Sequence, residues 1–159
     1  MSLFPPFFFG GPPSQILKCW RGSKLVIVLT QQILEEYQRV GYELSIKYPS
    51  INIEPIIELF TVFGEFVQTK GITETICGDP DDNKFIECAV ASQSKLIVSG
   101  DKHLLTITGY KDIEVLKPRQ FIDNYTFPFN LKETSKHWQK KYRSIRSDIT
   151  EQLYTAPEA

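Results

Sequence analysis

Three aspartates fall within four positions in Asp79-Pro80-Asp81-Asp82-Asn83, and a fourth, Asp101, directly follows the apolar run Leu96-Ile97-Val98 and Ser99-Gly100. Two kinds of chemistry account for such residues. Aspartate caps helices, because its carboxylate accepts from free N–H groups and favours the positive end of the helix dipole. Capping needs only one of the clustered acids, however, and crowded carboxylates resist ionisation unless a cation compensates them. A hard divalent ion with oxygen ligands would do so. On residue types alone both readings stand, for the cluster and equally for Asp101. Glu36 adjoins Glu35 and the apolar Tyr37 on a helical pattern, where a glutamate is ordinarily a solvated surface group.

The elements that must position these acids follow from periodicity. Pro12 and Pro13 suit the first turn of a helix whose apolar face is Ile16, Leu17 and Trp20, with Gly22 as its stop. Leu25 to Leu29 is an unbroken apolar run, as in a strand covered on both faces. Thr30 caps a helix through about residue 47, with Ile33, Leu34, Tyr37, Val40 and Leu44 inside. A second helix starts near Asn52, takes Pro55 in its first turn, and carries the stripe Ile56, Leu59, Phe60, Phe63 and Val67. Residues 73 to 77 read as a short strand, and the aspartate cluster leads into a helix bearing Phe85, Ile86, Ala89 and Val90. Leu96 to Val98 is a buried strand, and a short helix through Leu104 and Leu105 follows it. Ile113 to Leu116 is the last strand, and Pro118 opens a helix with Phe121 and Ile122.

Alternating strands and helices predict an α/β fold, a three-layer α/β/α sandwich with a mostly parallel sheet and right-handed crossovers. In such sheets functional groups gather beyond the carboxyl ends of the strands, where Asp82 and Asp101 both fall.

At 159 residues and 42% hydrophobic content the chain suits one domain. It divides into a domain over 1–125 and a tail over 126–159. The tail reads as helical over 132–153, with a weak apolar stripe of Trp138, Ile145, Ile149 and Leu153. A formal net charge of -1 argues against a generally basic surface, so nucleic-acid contact needs a local patch. Lys136, Lys140, Lys141 and Arg143, interleaved with Trp138 and Tyr142, form one candidate patch for phosphates and stacked bases, and Lys102 beside Asp101 is a further candidate. A solvated tail helix fits the same residues.

Three cysteines, Cys19, Cys77 and Cys88, are an odd, unpaired set, as in a cytoplasmic protein with buried thiols. Cys77, Cys88, His103 and His137 lack the close paired spacing of a zinc site and read as core thiols and surface histidines. Gly10-Gly11 precedes prolines rather than a phosphate-cradling helix, and Ser99 has no evident triad partners in sequence. No apolar run is long enough to span a membrane, and the N-terminal LFPPFFFGGPP is neither signal nor anchor. Its five large apolar side chains in residues 3 to 9 call for cover, from the domain or from another chain.

The combination ILEEY at 33–37, DPDDNKFIECA at 79–89, LIVSGDKHLL at 96–105 and IEVLKPRQFI at 113–122 resembles the PIN-domain family, most closely the subgroup that forms the toxin component of toxin–antitoxin pairs. The likeness covers about residues 9 to 123. It implies an α/β sandwich, Mg²⁺ or Mn²⁺ held by acids, and metal-dependent hydrolysis of single-stranded RNA. Glu36, Asp82 and Asp101 then stand at the catalytic and metal-ligating positions, with Asp79 and Asp81 as auxiliary ligands. A cognate antitoxin and self-association are the implied protein partners.

The sequence departs from the family pattern at the start. Members open with a central strand ending in Asp-Thr-Asn, whose aspartate is a principal ligand, and here only MSLFPP precedes FFFGGPPSQIL. The expectation is therefore weak or absent activity. Pro5 and Pro6 cannot donate ladder hydrogen bonds in place of that strand. A non-catalytic module that binds protein or RNA is the alternative.

Overall fold

The computed structural model describes residues 11–50, 52–70 and 76–125. Residues 3 to 9, most of the strand expected over 73–77, and the tail with Lys136, Lys140, Lys141 and Arg143 lie outside the described residues.

Helix α1 (Gly11–Arg21) runs to the expected glycine stop. Strand β1 (Val28–Leu29) is the hydrogen-bonded remnant of the longer apolar run. Thr30 then starts α2 (Gln31–Lys47), its hydroxyl accepting from the Ile33 N–H and so satisfying one of the free donors of the first turn. Helix α3 (Glu54–Phe63) has Pro55 in its opening turn, where the missing N–H costs nothing.

Val67 is not part of that helix. Gly64 ends α3 in an extended conformation, and the chain turns back as β2 (Glu65–Phe66), parallel to β1. The Val67 N–H donates to the Leu29 carbonyl instead of to a helical one. Ile76 and Cys77, the described end of the strand expected over 73–77, are in no strand. A 3-10 turn over Pro80–Asp82 leads into α4 (Asn83–Ala91), and β3 (Leu96–Val98) follows. The one-turn helix α5 (Lys102–Leu105), strand β4 (Glu114–Leu116) and α6 (Pro118–Asn124) complete the described chain.

Both strand pairings of the described residues are parallel, in keeping with the α/β expectation. Among the described residues, though, the sheet is two separate pairs, β1 with β2 and β3 with β4. Helix α4 packs against both β1 and β3, α1 packs on α6, and α2 packs on α3. Trp20 stacks on Phe60 with centroids 5.2 Å apart, and Tyr37 tilts against the same ring at 5.3 Å. These rings tie α1, α2 and α3 together, and aromatic pairs of this geometry add about 0.5–1.5 kcal/mol beyond the area they bury. Ile86 and Val98, both without exposed surface, continue the core under α4 and β3.

Candidate metal centre

Two features of the local sequence bring the acids together. Pro80 follows Asp79 and opens a 3-10 turn, so the chain tightens just before α4 and sets Asp79 and Asp82 on one side of it. Strand β3 ends at Val98, and Ser99 and Gly100 carry the chain out to Asp101 at the start of α5. The carboxyl end of β3 and the amino end of α4 thus lie over one region, because α4 packs on β3.

Asp79 and Asp101 take the capping role that the sequence allowed them, and Asp82 does not. Asp79 Oδ1 accepts from the Asp81 N–H at 3.0 Å. Asp101 Oδ1 accepts from the N–H groups of His103 and Leu104, at 2.7 and 3.3 Å. Asp82, although it stands at the amino end of α4, makes no cap hydrogen bond with its side chain. It is only 6% exposed, and its hydrogen-bonding neighbour among the described residues is the Cys77 thiol, at 4.0 Å. Burial first, and then the nearby charges of Asp101 and Asp79, push its carboxyl group up to about 6.

Ligand atoms of Asp79, Asp82 and His103 all lie within 4.8 Å of one another. Donors at about 2.1 Å from an octahedral ion are separated by about 3.0 Å when adjacent and about 4.2 Å when opposite. A small inward movement of side chains would suffice, so two carboxylates and an imidazole fit a divalent cation. Asp101 is not one of the three, but its charge is close enough to act on Asp82. Asp81 is exposed and turned to the surface.

Glu36 occupies a different setting. Arg39 grips it through two nitrogens, at 2.7 and 3.2 Å, and the Lys84 ammonium stands 3.6 Å from Oε2, the oxygen that also accepts from Arg39 Nε. These cations, with the Arg39 hydrogen bonds foremost, hold the Glu36 carboxyl below the usual range. The Lys84 side chain is 12% exposed and also acts on Asp82, so it links the glutamate on α2 to the acids at the start of α4. The sequence reading missed Lys84 and set His103 aside. For His103 the signal was its spacing, two positions after Asp101 on a helix start, where a side chain points back toward the strand ends.

Residues 4–103 match the family model of the PIN domain. The chain belongs to the PIN domain family. PIN domains are generally metal-dependent nucleases with an α/β fold, and the parallel strand pairs and acid-lined strand ends found here agree with that assignment. An uncharacterized protein of Methanocaldococcus jannaschii is similar to this PIN protein, 28% identical over 128 residues that cover 72% of this chain and 80% of the relative. No solved structure matches it. Among the described residues no helix is long and apolar enough to cross a membrane.

Proposed function

We propose that this PIN domain is an endoribonuclease acting on single-stranded RNA, and that it is the toxin component of a toxin–antitoxin pair. The observation that carries the nuclease reading is the buried Asp82 carboxylate, uncapped and gathered with Asp79 and His103. A bound Mg²⁺ or Mn²⁺ supplies Lewis-acid polarisation of a phosphate and a lowered pKa for bound water. Asp79 and Asp82 would hold that ion, and Asp101 deepens the negative field while fixing the start of α5. Lys84 keeps Glu36 directed at the same end of α4 and offers positive charge to a phosphate once the acids are neutralised. Lys102, exposed beside Asp101, would meet the RNA backbone.

The same geometry supports reduced activity for the chain as it stands. The two parallel pairs read as halves of one sheet in a three-layer sandwich, with no strand joining β1 to β3 among the described residues. For an antitoxin or a second copy, the support is apolar surface on α2, where Tyr42 and Ile46 lie one turn apart and are 69% and 64% exposed. Three buried free thiols favour a reducing, cytoplasmic setting.

Cleavage of single-stranded RNA with Mg²⁺ or Mn²⁺, against the same reaction in EDTA, tests the reading. Asp82→Asn should reduce the metal-dependent rate at least about 100-fold. Equal cleavage by the variant, or cleavage unaffected by EDTA, would defeat the assignment. A non-catalytic RNA-binding module is the second reading, favoured by Glu36, whose charge Arg39 and Lys84 already balance without an ion. RNA affinity with no metal-dependent cleavage would select it.

A further inference from the structure

We propose that His103 is a nitrogen ligand of the metal centre, and that the resulting set of two carboxylates and one imidazole selects Mn²⁺ over Mg²⁺. The inference rests on the metal-centre reading given above and names the ion that site takes. Mg²⁺ demands near-ideal octahedral geometry and sheds water reluctantly, whereas Mn²⁺, although the most oxygen-seeking of the first-row transition ions, accepts a mixed set of carboxylates and imidazole more readily than Mg²⁺ does. Replacing one oxygen by nitrogen therefore shifts the preference toward the transition ion.

The ring is oriented for this role. Its Nδ1 faces the Asp101 carboxylate, 3.6 Å from Oδ1. The opposite edge of the ring, at Cδ2, lies beside Gly78, where a Cβ would stand 3.5 Å from it. One ring nitrogen lies within 4.8 Å of carboxylate oxygens of Asp79 and Asp82, and Nε2, which adjoins Cδ2 and is not the atom facing Asp101, is the nitrogen available to an ion. A carboxylate that steadies one nitrogen while the other meets the ion is a recurrent arrangement for histidine ligands. At 3.6 Å the pair is beyond hydrogen-bond reach, so Asp101 would take that steadying part after a small rotation of the ring, and it is itself fixed by the N–H groups of His103 and Leu104.

A second observation points to an ion independently of the histidine. Asp82 is more than nine-tenths buried, yet among the described residues no ammonium, guanidinium or N–H donor is bonded to its side chain, and the one thiol at 4.0 Å is a weak donor at the limit of contact. Buried carboxylates are ordinarily paired or bound to a metal. Asp82 is directed into the group that His103 completes.

Calorimetric titration of the full chain with Mn²⁺ and with Mg²⁺, together with electron spin-echo spectra of the Mn²⁺ complex, provides the test. Mn²⁺ should bind at least about tenfold more tightly than Mg²⁺, with nitrogen coupling in the spectrum. His103→Gln should abolish that coupling and weaken Mn²⁺ binding more than Mg²⁺ binding, so that the preference narrows, and His103→Asp should tighten Mg²⁺ binding by supplying an oxygen donor. Mn²⁺ bound without nitrogen coupling, or an unchanged preference in both variants, would overturn the role of His103 and leave the carboxylate centre standing. No binding of either ion would overturn the centre itself, and this proposal with it.

Discussion

At the scale of single residues, Asp82 concentrates the electrostatics of the site. Its carboxyl is raised to about 6 by burial and by the charges of Asp101 and Asp79, with His103 and Lys84 opposing. An unfolded aspartate releases its proton near pH 4, so between about 4 and 6 the unfolded state holds fewer protons than the folded one. Stability therefore falls as pH rises through that window, and the loss persists above it. Asp82→Asn removes the penalty. In metal-free buffer the variant should be more stable than the parent at pH 7.5, by on the order of 2 kcal/mol, and indistinguishable from it at or below pH 4. Thermal denaturation across pH checks both limits. An ion displaces the proton, so the stabilisation of the parent by Mn²⁺ should grow up to about pH 6 and then level off, while the variant should show none. His103 was set aside in the sequence because zinc-site spacing was the criterion applied to it. Two acids and a histidine meeting across a turn and a separate strand end leave no such spacing.

At the scale of elements, the long periodic helices were legible and strand β2 was not. Thr30, Pro55 and Pro118 mark helix starts where the sequence placed them, because capping and a missing N–H act within a single turn. Strand β2 carries no comparable signal. Glu65 and Phe66 are both exposed, so no alternation announces them, and the apolar stripe of α3 continues in register to Val67. What stops the helix is Gly64, where an added Cβ would strike the Leu29 side chain and the Phe60 carbonyl. The close approach lets β2 lie against β1. Gly64→Ala should therefore cost about 1–3 kcal/mol in urea denaturation, since the obstruction includes backbone that cannot move aside. A neutral effect would mean that the turn into β2 is looser than these contacts require. The acids at the strand ends were legible as a group, while their division of labour was not. Which aspartate caps and which stays free depends on turn geometry a few residues long.

At the scale of the whole molecule, the two strand pairs pose a question of hydrogen bonding. Ile27 and Leu29 give their carbonyls to Glu65 and Val67, so the N–H and C=O of Val28, between them, face away from β2. On the other pair, the Lys95 carbonyl and the Ser99 N–H serve β4, so those of Val98 face away from β4. Val98 has no exposed surface, and neither valine's outward groups are bonded among the described residues. Buried backbone groups left so are costly, on the order of 1–3 kcal/mol each. A parallel strand laid between β1 and β3 would satisfy both edges at once, and its carboxyl end would emerge beside Asp82 and Asp101. An added N-terminal strand ending in Asp-Thr-Asn should therefore raise the melting temperature, tighten Mn²⁺ binding and increase cleavage of single-stranded RNA. Replacing its aspartate by asparagine should keep the gain in stability and forfeit the gain in cleavage. Edges unpaired among the described residues, together with the exposed apolar face of α2, would favour self-association of the parent, which light scattering at high concentration would register. If the extended protein were no more stable than the parent and equally prone to associate, the space between the two pairs would not be a strand site.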